Sequence, residues 1–269
     1  MLSKLQEVEL EAIKQVKSTL EGEGIPFLLR GGSVMGAVKY SGFIPWDDDM
    51  DIMIPREYFQ RALNVLQNSQ WSDHFIVASF QNGDEIHSYI PRVLVTEKYR
   101  RMKELPTNNH LGLTIIDILP LDGVPVSKPL KFLFVNYVRM IRMFGAVWSL
   151  DIDDSISNFS SKREKVLRTL QKIGVTRFYT QEDTYRHLDK FYTWVDSHSH
   201  VGKGNITGSL FAKELFDTDV FAKGVYMKFE DVFLPVPSDY DKYLKQLYGN
   251  DYATFEPEYK KSHLESHRS

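Results

Sequence analysis

The sequence predicts a mixed α/β fold in which a strand-and-helix core is followed by a helical region and then resumed. Short apolar runs of strand length alternate with amphipathic helical patterns over the first 125 residues. The pattern then becomes helical over residues 126–215, and a hairpin pattern follows it. We therefore predict a core at 1–125, a helical region at 126–215, and a C-terminal hairpin and helix at 216–269 that complete the core as one compact unit.

The individual elements follow from apolar spacing and from the positions of glycine and proline. Apolar residues recur at helical spacing from Leu5 to Leu20, and Gly22 and Gly24 end this first helix. The elements predicted after it are, in order, a strand at 25–30, a helix at 34–40, an acidic strand closed by Pro55, a helix at 56–67, strands at 75–80 and 89–95, a buried strand at 113–119 stopped by Pro120, a hairpin at 225–229 and 232–236, and a helix at 240–248.

The composition indicates a globular protein with a substantial core. The chain has 269 residues, of which 42% are hydrophobic, and its net charge is −3. This charge argues against a general nucleic-acid binder, so we expect no nucleic-acid partner. The absence of cysteine excludes disulfides and thiolate zinc sites and fits a cytoplasmic protein. No apolar run is long enough to predict a membrane-spanning helix.

The most informative stretch contains four aspartates between residues 47 and 51. Asp49 and Asp51 alternate with Met50 and Ile52, so in a strand the two carboxylates point to one side and the apolar side chains point into a core. Carboxylates this close repel one another unless a cation lies between them. Hard oxygen ligands favour Mg²⁺ or Mn²⁺. The competing interpretation is an exposed acidic turn, and the interleaved apolar residues argue against it.

Two further segments carry candidate chemistry. At Gly31-Gly32-Ser33 a predicted strand turns into a helix; glycines let a ligand approach the backbone, and a helix start favours phosphate oxygens. Asp117 lies alone among isoleucines, where a buried carboxylate is costly without compensation. A metal shared with Asp49 and Asp51 would compensate it. The alternative is a buried salt bridge to one of three basic residues, Arg30, Arg92 or Lys39.

The order of these segments favours a nucleotidyltransferase-type mixed sheet over a metal-dependent glycosyltransferase. A glycosyltransferase normally places several strand-helix units before its aspartate motif, whereas this chain reaches its aspartates within about fifty residues. We therefore predict a nucleotidyltransferase-type core with a helical insertion.

A helix in the middle region has two interpretations. Lys131, Arg139 and Arg142 share one side of it, and apolar residues between Leu133 and Trp148 cover the other. It is either an ordinary amphipathic helix docked on the core or an interfacial helix whose basic side touches an anionic membrane surface.

Several segments resemble the LicD family of phosphotransferases. Residues 42–52 (GFIPWDDDMDI) are similar to the family signature, and residues 29–38 (LRGGSVMGAV) resemble the segment before it. Residues 116–125 (IDILPLDGVP) look like the family's second block. Stretches within residues 228–252 (KFED, PVP and YGNDY) are similar to its C-terminal block.

This resemblance implies a bacterial phosphocholine transferase that uses CDP-choline and a hydroxyl of a teichoic-acid or related cell-surface glycan precursor. It implies that Asp49 and Asp51 hold Mg²⁺ or Mn²⁺ against the donor diphosphate. Asp117 would ligate a second metal or accept the proton of the acceptor hydroxyl. Gly32 and Ser33 would bind phosphate oxygens, and CMP would leave.

Three other residues are candidate substrate contacts. Arg30 and Lys39 either meet phosphate or balance the carboxylates. Trp46 adjoins the acidic strand and is our first choice for holding the quaternary ammonium of choline, although it equally fits a core tryptophan that orients the aspartates.

Two other classes of function remain open. One is a nucleotidyl- or glycosyltransferase that uses another nucleotide-activated donor, and the other is a catalytically inactive scaffold. With a lipid-linked acceptor and no spanning helix, the expected location is cytoplasmic with a peripheral contact at the inner face of the membrane.

Overall fold

The computed structural model describes residues 2–69, 73–84, 86, 88–148, 150, 161–174, 177, 179–199, 202–208 and 210–256. Its helices are, in chain order, α1 (Lys4–Gly22), α2 (Gly31–Met35), α3 (Arg56–Asn68), α4 (Glu97–Met102), α5 (Lys128–Trp148), α6 (Ser161–Lys172), α7 (Gln181–His198) and α8 (Tyr240–Tyr248). Its strands are β1 (Leu28–Leu29), β2 (Met50–Pro55), β3 (Phe75–Ala78), β4 (Arg92–Val95), β5 (Leu113–Gly123), β6 (Gly202–Gly204), β7 (Leu215–Asp217), β8 (Val225–Phe229) and β9 (Val232–Val236). The predicted mixed α/β class is confirmed.

A mixed sheet forms the centre of the molecule. Its strand order is β1-β2-β5-β4-β3, with β2 and β5 parallel and the other neighbours in this path antiparallel. The short strands β6 and β7 extend the sheet from the end of β5, and β8 and β9 form the predicted hairpin. Met50 and Ile52 of β2 are buried as predicted, and Asp51 is a half-buried polar exception in that apolar strand.

α1 begins where the sequence offers a capping box. The Ser3 hydroxyl accepts a hydrogen bond from the backbone of Gln6, and the Gln6 side chain accepts one from the backbone of Ser3. The apolar spacing then buries one side of the helix, including Val8, Ile13 and Val16, against the main core. This positions α1 beside the sheet, where its polar residues reach the acidic loop described below.

Four sequence predictions need correction. The helix predicted at 34–40 already begins at Gly31, and it continues from α2 as a π-helical turn at Gly36–Tyr40. β1 is shorter than the predicted strand. β5 is not stopped by Pro120, which pairs with Ile54 and whose carbonyl accepts a hydrogen bond from Asn205. Helix α4 and strands β6 and β7 were not predicted, because each is too short to show a periodic pattern.

A buried ion network connects the sheet to the helical region. Arg56 at the start of α3 places Nε 2.5 Å from Asp122 Oδ1 at the end of β5 and Nη1 2.8 Å from Asp189 Oδ1 on α7. Tyr89 also donates its hydroxyl to Asp189. A second apolar cluster packs α5 and α7 against Val124, just beyond β5. The division of the chain into three parts stays a prediction, and these contacts argue for one compact unit.

The orientation of α5 differs from the one we predicted. Arg142 is half-buried, donates to the carbonyls of Ile206 and Thr207, and lies with its guanidinium 4.6 Å from the ring centre of Phe211. The interpretation of the basic residues as one lipid-facing stripe is therefore wrong at Arg142. The core-facing stripe contains Phe134, Val138 and Ile141, while the exposed apolar residues are Leu130, Phe132, Leu133, Met140 and Trp148. Because α5 is apolar nearly all round, its sequence did not fix which side docks.

Among the described residues, none of the helices is both long and apolar enough to cross a bilayer.

Candidate active site

A row of three charged side chains crosses the centre of the sheet. Asp51 of β2 is the register partner of Asp117 in the parallel strand β5, and Asp117 is in turn the register partner of Arg92 in β4. Paired residues of adjacent strands point to the same face, and neighbouring strands lie about 4.8 Å apart. The sheet therefore brings two carboxylates and one guanidinium together on one face.

Asp117 has an unusual environment for a carboxylate. Its Oδ1 lies 3.2 Å from Arg92 Nε, yet both atoms are buried and neither makes a hydrogen bond within the described part of the chain. Burial raises the pKa of Asp117 to about 6; the Arg92 charge opposes this rise and the Asp51 charge adds to it. Asp117 thus offers a buried oxygen that is available to a ligand or a proton. Asp117 and Arg92 therefore form the salt bridge that was the alternative sequence interpretation, although no hydrogen bond joins these two atoms.

Asp51 is held by a buried arginine. Arg30 donates Nη1 to Asp51 Oδ2 at 2.7 Å, and it donates Nε and Nη2 to the two oxygens of Glu214 at 2.9 and 2.5 Å. Arg30 is 7% exposed and Glu214 is 1% exposed. The structure therefore places Arg30 in an ion network that orients Asp51. Of the two roles considered for Arg30, this is the one in which it balances the charge of the carboxylates. A phosphate contact by Arg30 stays a prediction.

The Gly-Gly-Ser turn lies directly against the aspartates. A Cβ atom on Gly32 would lie 2.9 Å from Asp47 Oδ2, so only glycine leaves that carboxylate undisturbed. Ser33 Oγ accepts a hydrogen bond from the backbone N–H of Asp51 at 3.0 Å. The turn thus sets the position of β2 at the site. Phosphate binding by Gly32 and Ser33 stays a prediction.

Gly31 has a conformation that few other residues adopt. Its φ is +53°, and its N–H donates to Tyr243 Oη of α8 at 2.9 Å. A Cβ there would lie 3.3 Å from Asp51 Oδ2 and 3.5 Å from Tyr248 Oη. The C-terminal helix therefore supports the turn and brings the Tyr248 phenol to the edge of the site. Burial raises the pKa of Tyr248, and the Asp51 charge adds to this rise.

The acidic loop before β2 contains a tight carboxylate cluster. Asp47, Asp48 and Asp49 each offer an oxygen, and these oxygens all lie within 4.8 Å of one another. Asp48 is buried and Asp49 is exposed. The loop is fixed to α1 by Gln6, whose Nε2 donates to the carbonyls of Ile44 and Asp47 at 3.3 and 3.1 Å. An oxygen-only cluster of this kind suits a hard divalent cation.

A fourth carboxylate, Glu9 of α1, is buried within electrostatic range of the same loop. It is fully buried, and burial raises its pKa well above the usual range, with the charges of Asp49, Asp47 and Asp48 adding to the rise. The sequence contained a signal for it, because Glu9 lies on the apolar side of α1, beside Val8 and one turn from Leu5 and Ile13. A carboxylate on the apolar side of a helix requires a partner that offsets its burial, and our sequence reasoning overlooked Glu9.

The remaining predicted site residues lie at the edge of this constellation. The Lys39 ammonium is 2.6 Å from the carbonyl of Phe255 and 2.9 Å from Glu256 Oε1, so it is engaged with the C-terminal segment. Trp46 is half-buried and lies edge-on to Tyr40, with ring centres 6.1 Å apart. These contacts do not form an aromatic cage in the described residues. The roles predicted for Lys39 and Trp46 stay predictions.

The three predicted metal ligands fall into two adjoining groups. Asp51 and Asp117 are paired in the sheet, whereas Asp49 belongs to the cluster with Asp47 and Asp48 just before β2. The convergence of Asp49, Asp51 and Asp117 on one cation stays a prediction.

Besides Glu9, three contributors were missed or left as alternatives by the sequence reasoning. Arg92 was considered only as a partner of Asp117, and Glu214 and Tyr248 were assigned no role. Glu214 lies 184 residues from Arg30 in the chain, and no local pattern reports a contact of that range. Tyr248 opens the YGNDY stretch of the C-terminal resemblance, which was the available signal.

Comparison with known proteins agrees with this geometry. Residues 24–117 match the model of the LicD/FKTN/FKRP nucleotidyltransferase domain. The chain is 23% identical to the lipopolysaccharide cholinephosphotransferase LicD of Haemophilus influenzae over 271 aligned residues, which cover 96% of this chain and 93% of that protein. It is 29% identical over 114 residues to the ribitol 5-phosphate transferase FKRP of Mus musculus, covering 42% of this chain and 21% of that protein.

The matched domain contains the glycine turn, the acidic loop and the Asp51–Asp117 pair. Its boundaries therefore enclose most of the side chains that the sheet brings together, and the similarity to LicD extends over nearly the whole chain. The resemblance found in the sequence is confirmed: residues 24–117 match the LicD/FKTN/FKRP nucleotidyltransferase domain, and the chain is similar to a LicD protein over nearly its whole length.

Proposed function

We propose that this protein transfers phosphocholine from CDP-choline to a hydroxyl of a cell-surface glycan precursor. The observation that carries the proposal is the pairing of Asp51 and Asp117 across parallel strands, beside the acidic loop and the glycine turn. Phosphoryl transfer depends chiefly on positioning and on neutralising charge, and this site offers both. The similarity to a cholinephosphotransferase supports transferase activity as the general class.

The residues present fit a divalent cation. All the donors are carboxylate oxygens, and the buried Oδ1 of Asp117 makes no hydrogen bond to any described residue. Asp49, Asp51 and Asp117 would hold Mg²⁺ or Mn²⁺, which when bound would neutralise the charge of the donor diphosphate.

In the proposed reaction the acceptor hydroxyl attacks the phosphorus that carries choline. A new P–O bond forms to the acceptor, the P–O bond to CMP breaks, and CMP leaves with the electron pair. In the alternative in which Asp49 and Asp51 alone hold the cation, Asp117 would accept the hydroxyl proton. Arg30 keeps Asp51 in position, and Arg92, which lies beside Asp117, would contact a phosphate or the acceptor.

The proposed acceptor is a lipopolysaccharide or a teichoic-acid precursor. The Haemophilus influenzae relative is named for lipopolysaccharide, and a teichoic-acid precursor is the second class that we propose to test. Either acceptor is carried on a lipid. The exposed apolar side chains of α5, among them Phe132 and Leu133, support a peripheral contact between this helix and the lipid surface.

The proposal is tested by incubating the protein with CDP-choline, Mg²⁺ and a panel of lipopolysaccharide and teichoic-acid acceptors, and by measuring CMP release and acceptor mass. We expect CMP to appear only with a matching acceptor, together with the mass increase of one phosphocholine. Acceptor-independent hydrolysis, or the absence of CMP with every acceptor, would contradict the proposal.

A second donor is favoured by the similarity to a ribitol 5-phosphate transferase. Because the matched domain model is named for FKRP as well as for LicD, the fold alone does not select choline. CDP-ribitol in the same assay separates the two donors, and pyrophosphate release from a nucleoside triphosphate would indicate a nucleotidyltransferase instead. Inactivity with every nucleotide donor would support a scaffold.

A further inference from the structure

The turn of the C-terminal hairpin has an unusual residue at its first central position. Because Phe229 of β8 pairs with Val232 of β9, the turn consists of Glu230 and Asp231. Glu230 has a φ of +54°, and tight hairpin turns with a positive φ at this position favour glycine, asparagine or aspartate. A glutamate there is strained, and such strain persists only where the surrounding structure holds the residue in place.

Glu230 is bonded to the segment that leads into the acidic loop. Its Oε1 accepts a hydrogen bond from the backbone N–H of Phe43 at 3.1 Å, and its own N–H donates to the carbonyl of Ser41 at 2.8 Å. Ser41 also has a positive φ, of +54°. Two residues with left-handed backbone therefore meet at one joint, although 187 residues separate Phe43 from Glu230 in the chain.

Gly42 shows how closely the two segments approach each other. A Cβ atom on Gly42 would overlap the Glu230 side chain, to which its three nearest atoms all belong. On the other side, the carbonyl of Gly42 would overlap a Cβ atom on Gly36, where the π-helical turn begins. Residues 41–43 are thus enclosed between the hairpin turn and the π-helical turn, and a side chain at position 42 would push them apart.

The hairpin is a rigid support for this joint. Phe229, Leu234 and Val236 are at most 1% exposed and belong to the main core. Phe229 also packs edge-on against Phe43, with ring centres 4.8 Å apart. The residue next to Glu230 in the chain therefore ties the turn and the segment before the acidic loop to the same core.

The acidic loop is thus held from both ends of the chain. Gln6 of α1 donates to the carbonyls of Ile44 and Asp47, and Glu230 of the hairpin turn accepts from the N–H of Phe43. Both Gln6 and Glu230 lie outside the matched domain at residues 24–117. These bonds go to the backbone, so they set where the loop lies and leave its carboxylates to other partners.

We propose that Glu230 is a positioning residue, which holds the start of the acidic loop so that the loop carboxylates lie correctly for a divalent cation. Glu230 acts through its hydrogen bond to the Phe43 N–H and is not itself a metal ligand. This role rests on the cation site of the proposed function, and it makes the C-terminal hairpin part of the support of that site. Residues that orient metal ligands typically change metal affinity by 10–100-fold when they are replaced.

Calorimetric titration of the metal-free protein with Mn²⁺ compares three substitutions. Glu230→Gly removes the acceptor and relieves the left-handed backbone, so Mn²⁺ affinity should fall by about 10–100-fold, while the midpoint of thermal unfolding without metal stays close to that of the wild type. Glu230→Gln keeps an acceptor oxygen and should retain the wild-type affinity. The matched control is Asp231→Asn, which changes an exposed carboxylate of the same turn that pairs with Lys14, and it should also bind Mn²⁺ normally.

Two results of the titration would overturn the positioning role. One is an unchanged Mn²⁺ affinity in Glu230→Gly. The other is a loss in Glu230→Gln as large as that in Glu230→Gly, because the charge of Glu230 and not its hydrogen bond would then be what matters. If Glu230→Gly does not fold, Gly42→Ala takes its place, since its Cβ displaces the Glu230 carboxylate. Weaker Mn²⁺ binding in that variant supports the role, and unchanged binding overturns it.

Hydrogen–deuterium exchange of the metal-free protein separates this role from the proposed function. The amide of Phe43 and those of the acidic loop should exchange faster in Glu230→Gly than in the wild type, and at the wild-type rate in Glu230→Gln. Unaltered exchange in Glu230→Gly overturns the positioning role whatever the titration shows. A wild type that binds no Mn²⁺ contradicts the cation site of the proposed function, and the exchange rates then decide by themselves whether Glu230 holds the loop.

Discussion

Removing Arg30 tests how the carboxylates of the site are held. Its guanidinium donates two hydrogen bonds to Glu214 and one to Asp51, and a Cβ atom on Gly208 would overlap both Arg30 and Glu214. Residues 205–208 therefore close over the pair and leave little room for water. Glu214 is 1% exposed in the wild type. The Arg30→Met variant therefore leaves the Glu214 carboxylate buried without its positively charged partner.

The magnitude follows from that burial. Breaking a buried ion pair by removing one partner costs about 3–5 kcal/mol, because an uncompensated charge stays in the core. At about 2–4 °C per kcal/mol for a chain of this size class, the midpoint of thermal unfolding should fall by about 6–20 °C. The double variant Arg30→Met/Glu214→Leu replaces both charges by apolar groups, and it should recover most of this loss.

Urea unfolding followed by circular dichroism measures these free energies. Arg61→Met is the matched control, because Arg61 pairs with Glu23 at the surface and its loss should cost under about 1 kcal/mol. The double variant should regain stability without regaining CMP release, since Asp51 still lacks its guanidinium. A single variant that loses less than about 1 kcal/mol, or a double variant no more stable than it, would refute the reasoning.

Three further outcomes are expected. Gly36→Ala should destabilise the fold by about 1–3 kcal/mol in thermal unfolding, because its Cβ would overlap a backbone carbonyl. The control Gly22→Ala places its Cβ in open space and should be neutral or slightly stabilising. Equal effects of the two substitutions would contradict the close packing at Gly36. Asp49→Asn should abolish CMP release at an unchanged or higher unfolding temperature, and retained turnover would remove Asp49 from the site. Replacing Phe132 and Leu133 together by Gln should weaken cosedimentation with anionic vesicles, and unaltered binding would exclude α5 as the lipid contact.

The sequence was informative wherever a property is local. The acidic strand, the glycine turn and the hairpin were predicted because alternation, glycine and aspartate spacing act over a few residues. The pairing of Asp51 with Asp117 followed only once the strand order was known. The role of Glu214 was not predictable for the same reason. Its contact with Arg30 depends on the fold topology and leaves no local pattern in the sequence.

Other differences have a simple physical origin. α5 carries apolar residues on nearly every side, so its own periodicity does not show which side is buried. The surface against which the helix packs determines that side. Pro120 was taken as the end of a strand because proline lacks an N–H. In the structure its carbonyl still takes part in hydrogen bonding, through Asn205, and the strand continues to Gly123.

The matched family domain ends at Asp117, which is inside β5 rather than at its end. A recombinant fragment limited to residues 24–117 would cut that strand in two. It would also lack Glu214 for Arg30, Tyr243 for the Gly31 N–H and Gln6 for the acidic loop. Domain grafts and minimal expression fragments of this protein therefore need material from both flanks, because residues far apart in the chain jointly build the candidate active site.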